Sequence, residues 1–118
     1  MATAKPNSIS SSLEDNLKKA LTELLLLHLL TQKECYIGEL TDILRKKSHG
    51  TLSIIFPYAA IYRLLQSEYI AELPKRNAPD GRRRQYYGIT KKGNLYLQQL
   101  LRTYTSFSKG VADILEGD

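Results

Sequence analysis

The most informative segment of the sequence is KRNAPDGRRRQYYGITKK, residues 75–92. It holds seven basic residues and a single acid, Asp80, for a net charge of +6. The rest of the chain carries 10 basic and 11 acidic groups, so this segment contains the whole positive excess. Such concentrated charge is typical of a surface that binds an anionic polymer.

The same stretch predicts a two-stranded wing. Pro79-Asp80-Gly81 fits a type I turn, and residues 70–75 and 83–89 on either side favour strands. Side chains alternate along a strand, so Arg82, Arg83 and Arg84 cannot all point the same way. The same alternation divides Tyr86 from Tyr87, and we expect Tyr87 and Ile89 in the core and Tyr86 partly exposed.

The N-terminal part predicts a flexible arm followed by a long amphipathic helix. Residues 1–10 are polar and contain Pro6, whereas Ser11-Ser12-Leu13-Glu14 matches a capping box. From there to about Thr31, apolar residues recur at spacings of three and four. Leu13, Leu17 and Leu21 belong to that apolar face.

Two shorter helices follow and form a candidate helix-turn-helix. The first is predicted from Tyr36 or Ile37 to Lys46, and the second from Pro57 to near Tyr69. Residues 51–56 are β-branched and apolar, and favour either a short strand or an extended link.

A final helix is predicted after Thr90, which is suited to be its N-cap. Two apolar stripes run along it, more than this small domain needs for its own core, so we expect it to pack on a partner chain. The alternative is that it covers only its own core. The first stripe is Leu97, Leu101, Tyr104, Ser108, Val111 and Leu115, and the second is Leu100, Phe107 and Ile114.

The predicted fold is therefore mainly α with a small two-stranded β wing. Residues 1–10 form the arm, 11–90 a winged helix-turn-helix, and 91–118 a C-terminal dimerisation helix, with the first helix also dimerising. With 42% hydrophobic and 25% charged residues, the chain has the composition of one ordinary globular domain.

Several classes of function find no support in the sequence. Cys35 is the only cysteine and there are two histidines, so neither an intrachain disulfide nor a usual zinc site is expected, and a cytoplasmic location is the simplest. The longest apolar run, Leu24 to Leu30, is interrupted by His28 and is too short to cross a membrane. Without a catalytic triad or a phosphate loop, we expect neither an enzyme nor a cofactor. We expect His28 to be a packed or interfacial residue and Cys35 a small residue at a helix start.

Three motifs in this order resemble the PadR family of bacterial transcriptional regulators, over about Lys18 to Leu115. The leucine-rich run 24–30 is similar to the family's first helix, and residues 58–64, YAAIYRL, to its recognition pattern Tyr-x-x-Leu-x-Arg-Leu. Residues 81–93, GRRRQYYGITKKG, resemble the family's wing almost throughout. The single C-terminal helix is similar to the short subfamily.

Two departures from the family pattern stand out. Tyr36-Ile37-Gly38 replaces the usual His-Gly-Tyr, so a tyrosine phosphate contact cannot be assigned at position 38, although Tyr36 can substitute. Glu68 stands where the family usually has glycine, so a slightly different turn is expected there.

The resemblance implies a DNA-binding transcriptional regulator, usually a repressor, which binds a pseudo-palindromic operator as a homodimer and is released by a small apolar or aromatic effector. The implied DNA-binding residues are Tyr36, Tyr58, Ala59, Tyr62, Arg63, Arg82, Arg83, Arg84 and Gln85. The implied dimerisation residues are Leu13, Leu17, Leu21, Leu97, Leu101, Tyr104, Val111 and Leu115.

Simpler interpretations remain open beside these. Arg63 can form a surface salt bridge with Glu68 or Glu72, the wing arginines can be a solvated charge run, and residues 46–49 can be a polar turn rather than a phosphate contact. The rival functions are a winged-helix module that binds an acidic protein, and a non-specific DNA-binding protein.

Overall fold

The computed structural model describes residues 6–54 and 57–117. Within these ranges the chain forms four helices and four short strands. They are α1 (Pro6–Leu30), α2 (Ile37–Lys47), α3 (Pro57–Gln66), β1 (Ile70–Glu72), β2 (Arg76–Asn77), β3 (Arg83–Arg84), β4 (Tyr87–Ile89) and α4 (Lys91–Glu116). The predicted fold class, helices with a small antiparallel wing, is confirmed.

Helix α1 begins at Pro6, five residues before the predicted capping box. Residues 6–10 are therefore helical, and the prediction that they belong to a flexible arm is wrong. Proline suits the first turn of a helix because its ring fixes φ and its missing N–H would be unpaired there anyway. The remaining residues of the predicted arm, 1–5, lie outside the described part of the chain.

The core forms where the leucine face of α1 meets the three other helices. Leu26 and Leu27 of α1, Leu40 of α2 and Leu64 of α3 are almost completely buried. Leu97 of α4 joins them at 2% exposure, so it is a core residue of its own chain rather than the dimerisation residue that was predicted. Leu21 and Leu101 are half-buried against the same core.

Helix α3 ends at Gln66, three residues earlier than predicted. Glu68 takes a left-handed conformation with φ of 63°, its N–H bonds to the Leu65 carbonyl, and the Tyr69 N–H bonds to the Leu64 carbonyl. This pair of bonds is the Schellman termination of a helix. It turns the chain from α3 directly into β1.

The wing, residues 70–89, consists of two paired pieces rather than the two continuous strands that were predicted. Ile70 lies opposite Ile89, but farther out Arg76 lies opposite Arg84, so the first strand contains one extra residue between the two pairs. Pro74 occupies this irregular stretch, where it cannot donate a backbone hydrogen bond. At the tip, the Gly81 N–H bonds to the Ala78 carbonyl, which confirms the predicted turn.

Cys35 extends the sheet at the base of the wing. Its N–H and carbonyl both bond to Tyr87, at 3.2 and 2.8 Å, so it pairs as an isolated bridge beside β4 instead of starting a helix. The side chain is fully buried, and burial raises the pKa of the Cys35 thiol to about 11.

None of the helices in the described ranges combines the length and the apolar character that crossing a membrane requires.

Candidate nucleic-acid interface

An open groove separates the wing from the beginnings of α2 and α3. We call it the interface groove; its predicted DNA-binding residues are Tyr36, Tyr58, Arg83, Arg84 and Gln85. Tyr36 precedes α2 and makes no side-chain cap with it, whereas Tyr58 lies in the first turn of α3 and is 74% exposed. The fold thus brings together five of the nine predicted residues.

Arg84 stabilises the wing through contacts with other side chains of the protein. Its Nη2 lies 2.7 Å from Asp80 Oδ2, and its guanidinium lies 5.2 Å from the centre of the Tyr36 ring. This ion pair, together with the bond from the Arg82 backbone N–H, holds the pKa of Asp80 below its usual value. Arg84 therefore joins the turn at the tip to the start of α2.

Arg82 and Arg83 differ from Arg84 because they are exposed. Within the described part of the chain, neither side chain makes a hydrogen bond or an ion pair, although the Arg82 backbone N–H bonds to Asp80. Of the three consecutive arginines 82–84, these two have the guanidinium groups that are available to a ligand.

The Gln85 side chain stabilises the irregular part of the wing. Its amide nitrogen donates to the carbonyl groups of Leu73 and Tyr86. The Leu73 carbonyl lies just before the extra residue, so the Gln85 side chain supplies a donor where the strand pairing is interrupted.

Tyr86 is buried at 5% exposure, so the expectation that it is partly exposed is wrong. The Arg76 guanidinium covers its ring at 3.8 Å, and Tyr36 meets it edge to face at 5.5 Å. Arg76 also bonds to Glu34 at 2.9 Å. Sequence reasoning missed this role of Arg76, because Glu34 lies 42 residues away and no local pattern links them.

The outward face of α3 is open, as its periodicity predicts. Tyr58, Ala59 and Tyr62 are exposed, Tyr62 at 62%. Arg63 differs from its neighbours, because its Nε bonds to Glu23 Oε2 of α1 at 3.2 Å. The salt bridge expected as an alternative thus exists, but with Glu23 and not with Glu68 or Glu72.

The segment after α2 forms a polar turn. Ser48 Oγ accepts the Leu52 N–H at 2.9 Å, and His49 is left-handed with φ of 56°. Lys47 bonds to Gln32 of the α1–α2 link at 3.0 Å. These contacts favour the turn interpretation for Ser48 and His49, whereas Lys46 and Lys47 belong to the last turn of α2.

A second surface lies on α4, where the predicted stripes run past the end of the core. Leu97, Leu100 and Leu101 pack inward, whereas the apolar residues after them are largely exposed in the described part of the chain. We call this uncovered part the apolar stripe: Tyr104 (46% exposed), Phe107 (71%), Val111 (41%), Ile114 (80%) and Leu115 (80%). On α1, Leu13 and Leu17 are likewise more than half exposed.

Solved structures with the same fold are found among transcriptional regulators. A PadR-like regulator from Bacillus cereus has a TM-score of 0.74 at 26% identity, over 87% of this chain and 99% of that one. A Streptococcus regulator has 0.71 at 28% identity, over 83% and 95%. A PadR family regulator from Eggerthella lenta reaches 0.78 over 95% and 96%, but at 24% identity it shows a shared fold only.

Comparison with curated protein sequences found no significant match. The profile described as "Transcriptional regulator PadR-like family" matches residues 26–99, which span the end of α1, the helix-turn-helix, the wing and the start of α4. This is well over half of the chain. The chain therefore belongs to the PadR-like family of transcriptional regulators.

Proposed function

We propose that this regulator binds a pseudo-palindromic DNA operator as a homodimer, with α3 in the major groove and the wing on the sugar-phosphate backbone. The observation that carries the proposal is that the exposed start of α3 and the exposed wing arginine Arg83 border the same open groove. A recognition helix reads bases from its N-terminal part, and Tyr58 stands there.

The contacts divide between positioning and reading. Arg82 and Arg83 have free guanidinium groups, which can donate two parallel bonds to phosphate oxygens. Tyr36 borders the same groove as Arg83 and is suited to a phosphate contact. Tyr58, Ala59 and Tyr62 face outward from α3 and are proposed to meet base edges.

Three other residues that were predicted to contact DNA have different roles in the proposal. Arg84 and Gln85 shape the wing through Asp80 and the Leu73 carbonyl, and their effect on DNA is mainly indirect. Arg63 has to give up Glu23 before its Nε can donate to a base.

The apolar stripe supports the dimer. An exposed row of tyrosine, phenylalanine and aliphatic side chains along the last helix is unfavourable in water and is suited to pack on the same row of a second copy. Leu13 and Leu17 of α1 are exposed as well, and we propose that they take part in the same dimer contact. Two subunits related by a two-fold axis would present two α3 helices to successive major grooves.

We further propose that the dimer acts in the cytoplasm as a repressor that blocks a promoter, and that a small apolar or aromatic effector releases it. Tyrosine and phenylalanine side chains on the apolar stripe supply a surface for such a compound. The chain contains no tryptophan, so the ligand cannot stack on an indole ring.

The test combines genome-wide recovery of bound DNA with titration of the recovered site. The variant Arg82→Ala/Arg83→Ala should remain a dimer and lose at least about tenfold in operator affinity, since each phosphate contact contributes to counterion release. A matched control, Arg102→Ala/Lys109→Ala, also removes two positive charges. Those residues lie on the face of α4 opposite the apolar stripe, and the control should bind the operator nearly as tightly as wild type.

Two outcomes would overturn the proposal. One is that wild-type protein recovers no discrete DNA sites and instead captures an acidic protein. The other is that the two double variants lose affinity equally, in which case general charge rather than the wing accounts for binding.

A further inference from the structure

Glu23 of α1 uses both carboxylate oxygens to join two other helices. Its Oε2 accepts a hydrogen bond from Arg63 Nε of α3 at 3.2 Å, and its Oε1 accepts one from the Tyr96 hydroxyl of α4 at 3.1 Å. The side chain is only 26% exposed, so these partners replace water in stabilising its charge. We infer that Glu23 is a positioning residue, which sets the orientation of the recognition helix α3 relative to α4.

A first junction between α3 and α4 already exists where the two helices meet the base of the wing. Thr90 donates its N–H to the Tyr69 carbonyl at 3.0 Å and its hydroxyl to the Glu68 carbonyl at 2.7 Å. Gly93 packs so closely on the Tyr69 carbonyl that a Cβ there would clash with it. These contacts hold the C-terminal end of α3, while Ile61 and Leu64 pack its inner face on the core.

The Glu23 bridge provides the second attachment. Arg63 lies nearly one turn before the end of α3, and Tyr96 lies more than one turn after the start of α4. The bridge therefore adds a polar attachment on the exposed side of α3, away from the first junction, which further restricts the angle between α3 and α4.

The Tyr96 ring is held so that its hydroxyl can serve this purpose. It stacks on Tyr69 with ring centroids 4.1 Å apart and an interplanar angle of 10°. Burial and the neighbouring Glu23 raise the pKa of the Tyr96 phenol, which keeps its proton available for donation. A fixed ring turns the hydroxyl into a directional link between α4 and α1.

The bridge has a consequence for regulation. Helix α4 carries the apolar stripe, where a second subunit would pack under the proposed function, on which this inference rests. A shift of α4 would pass through Tyr96 to Glu23 and from there to Arg63 on the DNA-facing helix. The bridge thus connects the dimer surface to the reading surface without a direct contact between them.

The test uses Tyr96→Phe, which removes the hydroxyl but keeps the stacked ring, and Glu23→Gln, which removes the charge but keeps the shape. In hydrogen exchange on the free protein, both should accelerate exchange of the α3 amides and leave the α2 amides unchanged. Thr105→Val is the matched control, since it removes a hydroxyl from an exposed position of the same helix, outside the apolar stripe and away from Glu23. It should leave exchange at the wild-type rate.

The second readout is the ratio of affinities for the recovered operator and for random duplex. Tyr96→Phe should lower this ratio about fivefold without changing the dimer or the salt slope. In the Glu23→Gln background, the same change should have little further effect, because the bridge is already broken.

The outcomes separate this inference from the proposed function. Unchanged exchange in α3 overturns the inference whatever happens on DNA, and so does faster exchange with an unaltered operator preference. If the proposed function is wrong, wild-type protein itself will not distinguish operator from random duplex. The exchange measurement still decides the role of Glu23, because it needs no DNA.

Discussion

Glu68 ends α3 in a left-handed conformation that ordinary residues adopt only at a cost. Glycine adopts this conformation without strain, so Glu68→Gly should stabilise the fold by about 0.5–1 kcal/mol. This value already allows for the greater freedom of glycine in the unfolded chain. The ion pair lost with Lys92 is long, at 3.9 Å, and exposed, and contributes little. Urea denaturation checks the gain, with Glu68→Ala as the control that keeps the Cβ. Equal midpoints for the two variants would contradict the strain argument.

The buried thiol of Cys35 should make the stability of the fold depend on pH. An ordinary thiol has a pKa of 9.0, and burial raises that of Cys35 to about 11. Between these values the unfolded chain gives up a proton that the folded chain keeps, so the free energy of unfolding falls as pH rises from about 9 to 11. Below about pH 8 this group has no effect. Denaturation curves of wild type and Cys35→Ala should therefore converge across that window, and a constant difference would show that the thiol is not buried as described.

The wing contains two kinds of arginine, those that stabilise its structure and those that are exposed. Arg76 covers the Tyr86 ring and bonds to Glu34, so Arg76→Ala should destabilise the protein by about 1 kcal/mol through lost packing and a lost cation–π contact. Arg82→Ala changes an exposed side chain and should alter stability by less than about 0.5 kcal/mol. Thermal denaturation of the two variants measures this difference. Equal stability losses would mean that Arg76 does not hold the wing to the domain.

Whether a feature of the wing could be predicted depends on how far apart its interacting residues lie in the sequence. The tip turn and the Thr90 cap depend on residues within four positions of each other, and both were predicted from the sequence. The Cys35–Tyr87 bridge joins distant parts of the chain and leaves no local pattern. Alternation placed Tyr86 wrongly at the surface, because it could not show that Arg76 and Tyr36 would cover its ring.

The same limit applies to α3 and α4. Helical periodicity correctly predicted the exposed positions of Tyr58 and Tyr62, because it depends only on spacing along one helix. It could not show that Leu97 would be taken up by its own core, since that depends on where α1 lies. Nor could it identify Glu23 as the partner of Arg63, 40 residues away.

The apolar stripe should determine whether the protein is a monomer or a dimer. Phe107 is 71% exposed, so Phe107→Asp should leave the fold intact while placing a charge where a second subunit would pack. Light scattering should then show a monomer with wild-type circular dichroism. Ser106→Asp adds the same charge on the opposite side of α4 and should remain a dimer. Dimers in both variants would mean that the stripe is not the interface.

The oligomeric state also predicts how DNA binding responds to salt. If each subunit neutralises roughly four phosphates, the dimer releases counterions from about eight, and log affinity should fall against log salt with a slope of about −7. The monomeric Phe107→Asp variant keeps one interface groove and should give a slope of about −3.5, with weaker binding at every salt concentration. Anisotropy titrations between low and physiological salt measure both slopes. A wild-type slope near zero would rule out phosphate contacts by the wing, whereas equal slopes for the two proteins would mean that a single subunit makes all the contacts.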